Sequence, residues 1–183
     1  DVVSSSAVAA PETAFAPAQT PRPLKESEIL QVIQDFGAAT KRAIEAGFDG
    51  VEIHGAHGFL IQNFLSPHYN QRTDKWGGSI ENRMRFSLAV VDEVKRVAAK
   101  YADESFIVGY RITLEESEED GLRLTDTETL IKQLVAKQIG YLHLSLGNVL
   151  TSYAHSDANP EPFIQRISKI VAHRVPLIAA GSL

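Results

Sequence analysis

The chain has 183 residues, no cysteine, 44% hydrophobic and 22% charged residues, and a formal net charge of −5. That balance excludes disorder over most of the chain, a disulfide-stapled secreted scaffold, cysteine nucleophiles and a broad nucleic-acid-binding face. No apolar run approaches the roughly 20 residues that a bilayer span needs, and no basic-then-apolar leader opens the chain, so a cytoplasmic setting is expected.

Residues 1–24 are rich in Ala, Ser and Pro without a helical or strand period, and read as a loop preceding the first helix. Ile29, Val32, Ile33, Phe36, Ala39, Ala43 and Ile44 recur at three- and four-residue spacing, which predicts a helix over 27–46 that Gly47 ends. A short strand follows at 50–54, then a polar loop through Ser79. Ser79 is placed to cap a helix over 80–101. The next strand is expected over 106–112, followed by an acidic loop from Glu115 to Arg123. Thr125 and Glu128 have capping-box spacing and predict a helix that Gly140 ends. A strand is expected over 141–145, a helix opened by Pro160, and a last strand over 175–180.

Strict alternation of helices with short apolar strands predicts a parallel sheet with crossover helices over residues 25–183. The last three strand starts lie roughly 35 residues apart, which suits repeated β/α units. Both a doubly wound sheet and a (β/α)8 TIM barrel fit. No Gly-x-Gly-x-x-Gly follows any strand, which counts mildly against a dinucleotide-type doubly wound sheet.

Polar residues gather where the strands end: His54 and His57, Arg111, Ser145, and Gly181 with Ser182. In both architectures this is the ligand face. Two imidazoles three residues apart can converge on one oxygen atom and stabilise charge developing on a carbonyl. A metal site with Glu52, or two structural histidines, are the alternatives. Arg111 suits an anionic or electron-rich ligand atom, or a salt bridge to the acidic loop. Gly181-Ser182 can offer backbone N–H groups to a phosphate, or form a simple turn. In the dense polar run from Ser66 to Arg83, a structural role is expected for Arg72, Asp74, Asn82 and Arg83.

The stretch Ala46-Gly47-Phe48-Asp49-Gly50-Val51-Glu52-Ile53-His54-Gly55-Ala56-His57-Gly58, with Arg72-Thr73-Asp74, Gly77-Gly78-Ser79 and Glu81-Asn82-Arg83, closely resembles the Old Yellow Enzyme family. These are FMN-dependent NAD(P)H oxidoreductases and ene-reductases on a (β/α)8 barrel. The resemblance continues less specifically from Pro21 to the end. It implies that His54 and His57 bind a substrate carbonyl above the flavin, that Arg111 contacts the flavin N1/O2 side, and that Gly181 and Ser182 begin the phosphate site. It implies FMN and NADH or NADPH as cofactors, a small carbonyl-activated alkene as substrate, and no metal. A homo-oligomer is left open. The family usually carries a proton-donating Tyr two residues after the second His; here that residue is Phe59. Tyr69 or solvent would then supply the proton.

A (β/α)8 barrel typically needs about 250 residues. The resemblance therefore implies a partial barrel of about four β/α units, strands four to seven, cut at both ends and holding little FMN alone. Two further readings stand beside it: a metal-dependent lyase or hydrolase using Glu52, His54 and His57, and a non-catalytic barrel fragment.

Overall fold

In the computed structural model, residues 1–12, 17–155 and 161–183 are described. A two-residue parallel ladder joins β1 (Val3–Ser4) to β2 (Arg22–Pro23). Then follow α1 (Glu26–Glu45), β3 (Gly50–Gly55), α2 (Leu60–Leu65), α3 (Ile80–Arg83), α4 (Arg85–Tyr101), β4 (Ile107–Thr113), α5 (Leu124–Ala136), β5 (Tyr141–Asn148), α6 (Phe163–Val171) and β6 (Leu177–Ser182). The long strands form one parallel sheet in the order β3-β4-β5-β6. Spatial order follows chain order without reversal. That is the progression of a (β/α)8 barrel, whereas a doubly wound sheet reverses at a switch point.

Alternation along each strand divides the sheet into two faces. Ile53, Val108, Tyr110, Ile112, Leu142 and Leu144 are buried and pack with Val90, Val91, Val94, Leu130, Ile131, Leu134 and Ile167 of the helices. Each fully buried aliphatic side chain of this kind stabilises the fold by about 1.5–3 kcal/mol before ordering costs. The opposite face carries Glu52 and His54 on β3, Arg111 and Thr113 on β4, and Tyr141, His143 and Ser145 on β5. The core thus lies between sheet and helices, and these polar side chains lie on the other side.

Several local expectations need correction. The loop after β3 contains α2, whose Ile61, Phe64 and Leu65 are buried; Phe64 stacks on Phe86 at 4.2 Å between ring centroids. A six-residue helix is too short to show a period in sequence. Helix α5 starts one residue before Thr125: Asp126 Oδ2 accepts the Arg123 N–H at 3.4 Å, and Thr127 Oγ1 reaches the carbonyls of Leu114 and Leu124. Gly140 does not end α5. Gln138 takes the left-handed conformation there (φ 54°), and a Cβ on Gly140 would lie 2.8 Å from Ile107, so this glycine admits β4. Gly47 does end α1 in the left-handed conformation (φ 83°). Pro162 is the N-cap of α6; Pro160 lies outside the described residues.

The last strand runs two residues later than expected, so Gly181 and Ser182 lie within β6. Val149 N–H donates to the Ser182 carbonyl at 2.8 Å, and a Cβ on Gly181 would lie 2.6 Å from the Leu146 carbonyl oxygen. Among the described residues no helix is long and apolar enough to cross a membrane.

Candidate active site

The polar run between α2 and α4 is a self-bonded wrap. Arg72 Nη1 donates to the carbonyls of Ser5 (3.0 Å) and Leu24 (2.8 Å), and its other nitrogens hold Asp74. Asp74 also accepts the Trp76 N–H, and its carboxyl is held below the ordinary range, chiefly by Arg72. Asn70 Nδ2 donates to the carbonyls of Phe64 and Trp76. Asn82 Nδ2 donates to Gly77 O at 3.0 Å. Arg83 is buried and donates to Leu65 O (2.8 Å), Gly78 O (2.7 Å) and Asp126 Oδ1 (2.9 Å). The side chains of this run thus tie the N-terminal segment, α2 and α5 together. Residues 1–24 share in this: Ser5 Oγ bonds the carbonyls of Asn63 and Tyr69, and Ser6 Oγ accepts the Gln71 N–H. Small serines in an Ala/Ser/Pro stretch gave no sign in sequence of being buried.

The strand ends behave differently. Parallel register sets His54 beside Arg111, Arg111 beside His143, and His143 beside Ile178; one step onward Thr113 pairs with Ser145 and Ser145 with Ala180. After β3 the backbone turns at His57, which has φ 61°, and its N–H donates to Thr113 Oγ1 at 3.1 Å. A left-handed non-glycine residue costs roughly 1–2 kcal/mol, and such strain gathers at functional positions. The turn brings the His57 ring edge-on to His54, with centroids 5.1 Å apart, and places His57 Nε2 2.5 Å from Ser145 Oγ.

Arg111 Nη2 donates to the same Ser145 Oγ at 3.1 Å. Among the described residues Arg111 makes no ion pair with the acidic loop, where Glu115, Glu116, Glu118 and Asp120 are engaged elsewhere. Glu115 accepts the N–H groups of Leu124 and His155. Glu116 accepts from Gln62, Ser66 and Leu122. Tyr69 Oη donates to Glu118, and Asp120 pairs with His68. Buried Glu116 was not singled out in sequence, since a run of acidic residues ordinarily marks a solvated loop.

Both imidazoles of the His54/His57 pair are pushed below their ordinary pKa, first by burial and next by the Arg111 charge. They are therefore neutral near pH 7, each with one N–H to donate. Glu52 meets His143 Nδ1 at 2.9 Å. It also helps push the Tyr141 hydroxyl up to about 12, after burial. Among the described residues, no three His, Asp or Glu side chains gather in a metal-binding group. The donor geometry therefore does not favour the expected Glu52-His54-His57 metal alternative.

Two polar atoms on this face are buried with no partner among the described residues: Arg111 Nε and His143 Nε2. A buried donor without an acceptor is costly unless a ligand supplies one. A cavity of about 440 Å³ at the same end of the sheet is bordered by His57, Gln62, Tyr69, Thr113, Glu118 and Ser145, the last of which Arg111 holds. Phe59, the N-cap residue of α2, is exposed, its ring 5.1 Å from that of His54. Gly181 and Ser182 lie at the same end of the sheet.

Comparison with known proteins agrees with the motif resemblance. The profile of the NADH:flavin oxidoreductase / NADH oxidase family matches residues 1–183. A probable NADH-dependent flavin oxidoreductase of Bacillus subtilis is 52% identical over 166 residues, covering 90% of this chain and 44% of that protein. An NADH:fumarate oxidoreductase of Klebsiella pneumoniae is 44% identical over 99% of this chain and 20% of its own length. Among solved structures, the Old Yellow Enzyme homologue of Zymomonas mobilis superposes with a TM-score of 0.79 at 26% identity, covering 99% of this chain and 51% of that one. Morphinone reductase in complex with tetrahydroNAD gives 0.72 at 33% identity, covering 99% and 49%. The chain thus spans about half or less of the length of these relatives. It belongs to the NADH:flavin oxidoreductase family, whose Old Yellow Enzyme members are TIM barrels, and it carries consecutive β/α units of that fold.

Proposed function

We propose that this member of the NADH:flavin oxidoreductase family serves an FMN-dependent NAD(P)H:acceptor oxidoreductase acting on a small carbonyl-activated alkene in the cytoplasm. One observation carries the reading. Two strand ends, β3 and β4, deliver two neutral imidazoles and an arginine with a spare buried donor to one face, and a cavity opens at His57.

His54 and His57 then donate N–H groups to the acceptor carbonyl, stabilising negative charge as it develops on that oxygen. The orphaned Nε of Arg111 fits the electron-rich N1/O2 edge of a flavin, and Gly181 with Ser182 lies on the phosphate side. When bound, FMN supplies the two-electron chemistry, passing hydride from NAD(P)H to the acceptor. NADH is the reductant in the names of the relatives.

Phe59 stands near His54 with no proton to give. Tyr69 shares the cavity with His57, but burial and Glu118 push its hydroxyl up to about 12, so it holds its proton tightly. Protonation of the reduced carbon therefore falls chiefly to solvent, and turnover of simple enones is slow. The test is steady-state reduction of cyclohexenone by the flavin-loaded whole protein. Phe59→Tyr should raise the rate by about 10²-fold, the usual gain from a positioned general acid. A wild-type rate that is already fast, and unchanged by the substitution, would sink this account.

A further inference from the structure

Ser145 touches both halves of the site. Its Oγ accepts Arg111 Nη2–H at 3.1 Å and lies 2.5 Å from His57 Nε2. A guanidinium carries only donors, so Oγ spends a lone pair on Arg111 and keeps its single proton for another partner. Two arrangements fit the short contact to His57. Either Ser145 donates to a bare Nε2, or an Nε2–H donates to Oγ. In the second, Oγ accepts twice, and its own proton has no partner among the described residues. The first leaves only the His57 Nδ1–H open, whereas the second leaves both the serine proton and the Nδ1 lone pair open.

Position supports the first arrangement. The pairing of β5 with β6 shifts register between Ser145 and Asn148, immediately after this residue. Such irregularities re-aim side chains beside active sites. His57 is itself held in the left-handed conformation by Thr113, which aims its ring toward β5. Burial and the Arg111 charge keep the ring neutral, so it has one proton for two nitrogens.

We propose that Ser145 is a positioning residue that fixes His57 as its Nδ1–H tautomer and ties it to Arg111. The acceptor carbonyl must then meet Nδ1–H of His57, while Nε2 is occupied by the serine. The tautomer stands on the hydrogen-bond geometry; its consequence for the carbonyl rests on the function proposed above.

The test is long-range ¹H–¹⁵N correlation spectroscopy of histidine-labelled, flavin-loaded protein, with His57 assigned through its loss in His57→Asn. We expect a pyridine-like Nε2 and a pyrrole-like Nδ1 at His57. Ser145→Ala should move the ring toward the Nε2–H form that free imidazole prefers, and Ser145→Thr, which keeps the hydroxyl, should restore it. Binding of a simple phenol should weaken about tenfold in Ser145→Ala, the worth of one well-placed hydrogen bond, and recover in Ser145→Thr. An Nε2–H tautomer in the wild type, or one that Ser145→Ala leaves unchanged, overturns the proposal. If the tautomer is as expected but phenol leaves the His57 signals unmoved, the positioning stands and the carbonyl-binding reading fails.

Discussion

The wrap from Ser66 to Arg83 and the strand-end face are both dense in polar side chains, yet they spend them in opposite ways. In the wrap, Arg83 and Arg72 direct their donors to backbone carbonyls and carboxylates of the chain itself. At the strand ends, Arg111 Nε and His143 Nε2 are buried without a partner, His57 holds a strained backbone angle, and two imidazoles are kept neutral beside a cation. The difference teaches that polarity alone does not mark function. The wrap too leaves a buried donor, Trp76 Nε1, without a partner among the described residues, so an orphan atom alone marks no site; at the strand ends the orphans coincide with a strained backbone angle.

Substitutions can break or sharpen that contrast. The largest effect should come from Arg83→Ala, which strips a buried guanidinium from three partners. We expect a loss of about 3–5 kcal/mol of stability in urea unfolding. A loss below 1 kcal/mol would mean the wrap is not what holds these segments together. Next, His54→Ala with His57→Ala should lower enone turnover by about 10²-fold, as loss of carbonyl-stabilising donors does, with little change in the unfolding midpoint. If stability fell as far as in Arg83→Ala, the pair would be structural.

A smaller effect separates strain from chemistry. His57→Gly should stabilise the fold by up to about 1 kcal/mol, because glycine adopts φ near 60° freely, while acceptor binding is lost. Destabilisation in thermal unfolding would show that the imidazole contributes more to the fold than its backbone angle costs.

The smallest effect is a two-step acid profile. The folded pKa values of His54 and His57 lie below the ordinary 6.5, so the unfolded chain takes up protons first. Stability should therefore decline as pH falls from about 6.5 through the lowered values, then level off. The folded pKa of Asp74 likewise lies below the ordinary 3.8, so its contribution is full above 3.8 and lost only as pH falls through the lowered value. Urea midpoints measured across this range should show the first decline vanish in the double histidine variant and the second persist.

The parallel α/β alternation was legible because its signals are local: helical apolar spacing in α1 and α4, β-branched runs in β3 and β4, and Ser79 accepting the Asn82 N–H as its position foretold. Other features were hidden for definite reasons. Helix α2 is too short to show a period. Asp126, not Glu128, caps α5, because Glu128 pairs with Arg166 at 2.5 Å across to α6. The carboxylate of Glu116 became a buried node only because Gln62 and Ser66 arrive from another segment.

The sequence by itself determined the order of elements, the family motif around His54 and His57, and the presence of Phe59 where a proton donor is usual. Tertiary structure decided which polar groups have bonds to spare. That depends on partners far apart in the chain: Ser145 lies 88 residues from His57 and 34 from Arg111. Parallel register and the turn at His57, not sequence proximity, bring the three together. Hydrogen-bond valence is counted in space, so whether an arginine's donors are spent on the fold or left over is settled only when the strands and helices assemble around it.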